Sequence, residues 1–311
     1  MDYRVLKRGK HGLPTWDALA PLVLKIAKQR LEWHGRELKI KTADSLELPE
    51  KLRKLTYDDS NHRSIIEDRA GWAVGELNTA GLLKRTRRGY YKITELGEKL
   101  LREGTAINRE AIHKQPLYQQ HERELEERKL RSAEIVSVDA EPTAVSKLTQ
   151  QAAAYNAEVA TSLLRQIRES EPEFFENLVV TLLGAMGYRG PNGSAWVTQR
   201  TNDGGIDGVI NQDALGTSTV YVQAKKYGEG NKVQRPAIDS FYGALSRNHA
   251  DRGVFITTSS FSTKAIDTAR GFSIVLVDGI QLTELMLQYH VGVQVKQSFE
   301  IFEIDKDFFE D

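Results

Sequence analysis

The sequence predicts a mixed α/β domain, preceded by a helical domain that ends in a basic hairpin. Three observations carry that expectation. After about residue 170, apolar runs of helical period alternate with short β-rich runs, in the order helix, three-strand meander, helix, strand, helix, strand, helix. Before residue 103, two amphipathic helical stretches lead into a strand–turn–strand rich in Lys and Arg. Between the two, Arg102 to Lys147 is polar and highly charged, as in a solvated helix or flexible connector. The expected division is a winged domain over 1–103, a charged connector and amphipathic helix over 104–168, an α/β domain over 169–295 and an acidic tail over 296–311.

A chain of 311 residues with 40% apolar content can bury two cores. It has no cysteine, which excludes disulfides and thiolate metal sites and fits a reducing cytoplasm. The opening Met1 to Arg8 lacks the apolar run of a signal peptide, and no stretch approaches the roughly 20 apolar residues that span a bilayer, so no membrane role is expected. Lys plus Arg equals Asp plus Glu at 43 each. Any nucleic-acid surface must therefore come from local patches.

In the N-terminal domain, Thr15 is placed to cap a helix to about Arg30, with Trp16, Leu19, Leu22, Val23 and Ile26 as its apolar side. Pro21 counts against that helix unless it marks a kink. A second helix is expected around Asn61 to Ala80, with Ile65, Ile66, Trp72, Ala73 and Leu77 as its core stripe and Gly81 as its stop. Leu82 to Thr86, Arg87-Arg88-Gly89 and Tyr90 to Thr94 then read as strand, turn and strand. Helices followed by a two-stranded basic wing form the pattern of a winged-helix DNA reader. Lys84, Arg85, Arg87 and Arg88 would meet phosphates, and Arg63 and Arg69 are candidates to reach base edges. Such domains also bind proteins, and Glu67, Asp68 and Glu76 would repel phosphate if they faced it.

From Ala144 to Arg168, Val145, Leu148, Ala152, Tyr155, Val159 and Leu163 recur at three- and four-residue spacings. This is an amphipathic helix, serving either self-association or packing on its own domain. Ser170-Glu171-Pro172-Glu173 has the form of a capping box. The helix after it should bury Phe175, Val179, Leu182 and Met186 and end at Gly187; Glu176 beside that stripe is either an exposed polar residue or an acid reaching a site. Strands follow over Ala195 to Thr201, Gly205 to Ile210 and Thr217 to Lys226, then a helix over Pro236 to Asn248 and a strand over Gly253 to Thr258. A helix from Ala265 to about Arg270, a strand from Ser273 to Asp278 and a helix from Ile280 to Tyr289 complete the domain.

The hairpin carries the chemistry. Alternation puts Gln223 and Lys225 on one side of their strand, and antiparallel pairing brings Asp207 close to Gln223. A carboxylate, an amide oxygen and an ammonium in one small space suit Mg²⁺ and an oriented water, hence metal-assisted phosphodiester cleavage. Lys226 alternates to the other face and reads as structural, and Asp203 as a turn residue. Thr257, Thr258 and Ser259 either bond phosphate or cap the next helix, and Arg235 follows a flexible Gly228-Glu229-Gly230 loop within reach of a DNA backbone. The seven histidines form no close cluster.

Phe175-Glu176, Asp203-Gly204-Gly205-Ile206-Asp207-Gly208, Tyr221-Val222-Gln223-Ala224-Lys225, Phe241 to Leu245 and Arg252 to Thr258 together resemble the Mrr-type restriction endonucleases of the PD-(D/E)XK superfamily. The N-terminal half resembles the same family's winged-helix domain through Arg69-Ala70-Gly71-Trp72-Ala73 and the wing. The resemblance implies a PD-(D/E)XK-like mixed sheet flanked by helices. It also implies a cytoplasmic Mg²⁺-dependent endonuclease, with Mn²⁺ as a substitute, that cuts double-stranded DNA carrying methylated adenine or cytosine. On that resemblance Asp207, Gln223 and the Ala224 carbonyl would hold the metal and Lys225 would position the water, with Arg235 near the site. Gln223 replaces the superfamily's second acid, so the metal should be held more loosely and Glu176 becomes useful as a further acid. A double-strand cut requires a homodimer or higher oligomer. A structure-directed nuclease and a non-catalytic DNA-binding protein are the rival readings.

Overall fold

A computed structural model describes residues 1–57, 63–104, 106–135, 144–198, 205–250 and 252–302. They form two compact units, Met1–Glu126 and Glu127–Asp311, and the expected connector is divided between them.

In the first unit α1 (Trp16–Ala27), β1 (Trp33–His34), α2 (Gly35–Asp44), α3 (Glu50–Arg53) and α4 (Ile65–Thr79) precede β2 (Leu83–Arg87) and β3 (Tyr90–Ile93), with α5 (Glu95–Arg102), α6 (Arg109–His113) and the start of α7 (Pro116–Ile135) after them. The strands lie in the order β1-β3-β2, all antiparallel. The unit is a helical domain whose small antiparallel sheet ends in the β2–β3 hairpin, and α4 (Ile65–Thr79) is its third long helix. Pro21 sits inside α1 without ending it, where Leu19, Ala20, Val23 and Leu24 are buried. Thr15 precedes α1, but its hydroxyl donates to the Lys7 carbonyl and caps nothing. The second expected helix starts at Ile65; Asn61 and His62 lie outside the described residues. Gly81 follows α4 at φ +75°, where a Cβ would also strike Leu117. Trp72 departs from the expected core stripe. It is 61% exposed, because the buried side of α4 is centred on Ile66, Ala70, Ala73 and Leu77.

The second unit holds the end of α7, α8 (Ala144–Glu169), α9 (Pro172–Ala185), β4 (Ser194–Val197), β5 (Gly208–Asn211), β6 (Thr219–Lys225), α10 (Arg235–Arg247), β7 (Gly253–Thr257), α11 (Thr263–Gly271), β8 (Ile274–Val277) and α12 (Gly279–Gln288). The sheet runs β4-β5-β6-β7-β8: an antiparallel meander through β6, then parallel pairs to β8. Helices cover both faces, as parallel strands require. Val220, Val222 and Ala224 share one core with α8, α9 and α12, while Tyr221, Val209 and Phe255 pack with α10 and α11. Alternation along β6 therefore sets Gln223 and Lys225 on the α10–α11 side.

Three local expectations are corrected. No capping box forms at Ser170, whose hydroxyl donates to the Ile167 carbonyl; α9 begins at Pro172 with Glu171 before it. The charged stretch is not wholly solvated, since Arg128 is 3% exposed and donates to Thr161 Oγ1 at 3.0 Å and Thr283 Oγ1 at 2.7 Å. The amphipathic helix serves its own domain over one half only: Ala160, Leu164 and Ile167 are buried, while Val145, Leu148 and Tyr155 stay exposed. Among the described residues no helix is long and apolar enough to cross a membrane.

Candidate active site

The hairpin β5–β6 positions the site. Gly208 pairs with Val222, so the antiparallel register carries Asp207 opposite Gln223. The Asp207 N–H donates to the Val222 carbonyl at 2.8 Å, and its Oδ2 accepts the Ala224 N–H at 2.8 Å. The carboxylate thus takes the place of a backbone acceptor where β5 has run out. From the other side Thr198 clamps the same segment, its N–H donating to the Asp207 carbonyl at 3.1 Å and its hydroxyl to Ile206. The sequence reading missed Thr198; a threonine ending the neighbouring strand was its only signal.

Gln223 is 3% exposed. The Gly205 backbone lies against its amide at φ +104°, and a Cβ there would stand 3.3 Å from both amide heteroatoms. Lys225, two residues on and half-buried, projects from the same face. A strand residue presents its N–H and carbonyl to the same side, so the Ala224 carbonyl is directed past the start of β5, as its N–H is. The site therefore gathers one carboxylate, one amide and one backbone carbonyl. These are hard oxygen donors with a single formal negative charge, and they fit Mg²⁺ rather than a soft metal. Among the described residues no group of three His, Cys, Asp or Glu side chains could hold a metal ion. The glycine cradle around the amide matches a side chain that must be held still.

The other candidates fall elsewhere. Glu176 is half-buried on α9, which covers the sheet face opposite Gln223 and Lys225. Thr257, Thr258 and Ser259 are buried: Thr257 donates to the Lys225 carbonyl and Thr258 to that of Tyr227, each at 2.7 Å. The two threonine hydroxyls thus fix the end of β6, and the cap of α11 is Ser262. Lys226 Nζ donates to the carbonyls of Arg168 and Ser170, a structural role. Arg235 opens α10, exposed and paired with Asp239 at 3.2 Å. Asp203 lies outside the described residues.

In the first unit Lys84, Arg85, Arg87 and Arg88 are exposed on the wing. Arg87 stacks over Tyr90 at 3.8 Å and pairs with Glu32 at 3.3 Å. Arg69 is removed from base reading, because its guanidinium is spent on the carbonyls of Lys10, Leu13 and Pro14. Arg63 lies over the Tyr57 ring and pairs with Asp68 at 3.6 Å. Two acids of α4 are ion-paired, Glu67 with Arg53 at 2.7 Å and Asp68 with Arg63 at 3.6 Å, and Glu76 stands 3.3 Å from His113.

Comparison with known proteins identifies the family. Residues 167–286 match the family described as restriction endonuclease, Mrr_cat, and residues 16–103 match the Mrr N-terminal domain. The chain is 34% identical over 317 residues to the type IV methyl-directed restriction enzyme EcoKMrr of Escherichia coli (strain K12), spanning 96% of this chain and 99% of that protein. Among solved structures, the DNA modification-dependent restriction endonuclease AspBHI aligns at 21% identity and TM-score 0.36, over 43% of this chain and 36% of its own. The MspJI restriction endonuclease in complex with a 27-mer oligonucleotide aligns at 22% identity and TM-score 0.35, over 50% and 36%. Those scores are too low to add weight; the identity along nearly the whole of both EcoKMrr and this chain is what counts. With both domains matched in order, the chain belongs to the Mrr family of restriction endonucleases.

Proposed function

We propose that this protein is a cytoplasmic, Mg²⁺-dependent endonuclease that hydrolyses phosphodiester bonds of double-stranded DNA carrying methylated adenine or cytosine. The observation that carries the reading is Asp207 pinned opposite Gln223, with Lys225 on the same face of β6. Methyl direction comes from the relative, whose described activity is methyl-directed restriction. Asp207, Gln223 and the Ala224 carbonyl would hold Mg²⁺, or Mn²⁺ in its place. When bound, the ion supplies Lewis-acid stabilisation of charge on the scissile phosphate and the departing oxygen.

The chain's own residues do the positioning. The Ala224 N–H holds Asp207 Oδ2 so that the carboxylate cannot swing away when DNA enters. The Lys225 ammonium orients the attacking water in line with the leaving oxygen and lies beside the phosphate charge. Glu176 is proposed as a further acid of the site, although α9 covers the sheet face opposite Gln223. Lys84, Arg85, Arg87 and Arg88 would meet the duplex backbone at the wing, and Arg235 would do so near the site. One active site per chain makes a double-strand cut the work of two protomers, and the exposed Val145, Leu148 and Tyr155 of α8 are the proposed seam.

Asp207→Ala and Lys225→Ala are each expected to abolish cleavage while leaving DNA affinity within about threefold, since the phosphate contacts of the wing are untouched. Loss of binding in both, with the fold intact by circular dichroism, would remove the catalytic assignment.

A further inference from the structure

The outward side of α4 is unusual for a helix meant to meet DNA. Asp68, Gly71, Trp72, Gly75 and Thr79 recur there at three- and four-residue steps, and none is basic. Trp72 is the most exposed of the four tryptophans, on a helix whose opposite side is fully buried. Its Nε1–H donates to Asp68 Oδ2 at 3.3 Å. The Tyr57 hydroxyl donates to the same oxygen at 3.2 Å, and Arg63 stands 3.6 Å from Oδ1. The indole and the carboxylate are therefore held side by side. Gly71 has an internal reason, since a Cβ there would strike Lys39 at 2.9 Å. Gly75 has none: a Cβ there would meet nothing within 4 Å. A glycine that weakens an exposed helix without any internal contact to relieve points to a partner that comes close to the backbone from outside.

Resting on the modified-DNA reading above, we infer that Trp72 and Asp68 form the element that recognises the methylated base in the major groove. The indole packs on the methyl group, and the Asp68 carboxylate accepts the N–H of the exocyclic amine next to it. 5-Methylcytosine offers that chemistry, a C5 methyl group beside an N4–H donor on the major-groove edge; N6-methyladenine does not, because its one remaining N–H is used in the base pair. The carboxylate is needed because unmodified DNA is full of methyl groups. Thymine also offers one, but beside an O4 acceptor, which a carboxylate repels. An aromatic surface alone would bind thymine; the pair rejects it. The exposed cations Lys84, Arg85 and Arg88 of the hairpin that follows the helix supply sequence-independent attraction, and the pairing of Glu67 and Asp68 with arginines lowers the repulsion their charge would cause.

The test uses the full chain carrying Lys225→Ala to prevent cutting, with one DNA fragment synthesised unmodified, with 5-methylcytosine or with N6-methyladenine. Kd is measured for each at one fixed salt concentration. The parent is expected to prefer the 5-methylcytosine fragment by about tenfold or more, the discrimination of one good base contact, and a preference for N6-methyladenine instead would overturn the inference. Trp72→Ala should cut that preference to below about threefold. Asp68→Asn should tighten binding to the unmodified fragment, because an amide can donate to thymine O4. Arg85→Ala and Arg88→Ala should weaken all three fragments alike. If Trp72→Ala keeps the full preference, the inference is wrong while the modified-DNA reading stands. If the parent shows no preference at all, that reading fails and the inference with it. Should Trp72→Ala lose all binding through misfolding, Trp72→Phe and Asp68→Asn decide: unchanged preference in both overturns the inference, reduced preference supports it.

Discussion

Asp207 and Gln223 are made into a site by what holds them still. One backbone N–H locks the carboxylate, and the Gly205 backbone lies against the amide. Gly205→Ala would place a Cβ 3.3 Å from both amide heteroatoms at a left-handed φ of +104°. The expected cost is about 1–3 kcal/mol, read from chemical denaturation, with loss of cleavage beyond what that instability explains. Gln223→Glu adds a negative charge to a donor set that has only one, so the Mg²⁺ concentration for half-maximal cleavage should fall; an unchanged requirement would argue against Gln223 as a ligand. Asp213 holds the β5–β6 turn through the N–H groups of Leu215, Thr217 and Ser218. Backbone bonds from Thr217 and Ser218, ahead of the others, push its carboxyl down to about 2. A depressed pKa means its stabilising effect is complete above the ordinary value of 3.8 and is lost as pH falls from there towards 2. Asp213→Asn should therefore flatten the acid limb of the stability curve in that window. Asp207, Gln223 and Lys225 were legible because strand alternation fixes a side chain's face from two residues away. Thr198 and Gly205 were not, since their roles depend on the bend between strands.

At the scale of elements, the strands and helices of the sheet domain follow from period and turn chemistry, and their observed ends fall within a few residues of those expected. The exceptions have local causes. Ser170 could not cap α9 because its hydroxyl already closes the last turn of α8. Helices α2 and α5 escaped the reading for different reasons: α2 buries only Leu38, Thr42 and Ala43, while α5 is a short eight-residue helix that packs Leu100 and Leu101 against the core. Trp72 was misassigned because a tryptophan in an apolar run looks like core, and only the packing of α1 and α2 on α4 shows which way it faces. Arg128 carries the clearest prediction at this scale. It ties the end of α7 to α8 and α12 through Thr161 and Thr283, with Glu284 3.8 Å away. Arg128→Met keeps the bulk and loses the charged hydrogen bonds, so unfolding free energy should drop by about 2–3 kcal/mol. A drop below about 0.5 kcal/mol would mean the network is mere surface decoration.

Over the whole molecule, equal numbers of acidic and basic residues conceal a division of labour. The β2–β3 hairpin gathers exposed cations, Glu67 and Asp68 of α4 are paired with arginines, and the β5–β6 hairpin holds one carboxylate, Asp207, against its own backbone. Under the proposed two-protomer cut, substituting Val145, Leu148 and Tyr155 together by Ser should convert double-strand cutting to nicking and reduce the sedimentation coefficient. The central claim is methyl-directed, metal-assisted hydrolysis at Asp207, Gln223 and Lys225. Its most direct test is Mg²⁺-dependent cleavage of one plasmid in unmethylated, adenine-methylated and cytosine-methylated forms, with Lys225→Ala alongside. Cutting confined to a methylated form and absent from the variant is the expected result. Equal cutting of all three forms would contradict methyl direction and favour a structure-directed nuclease, and cutting that survives Lys225→Ala would contradict the assigned site.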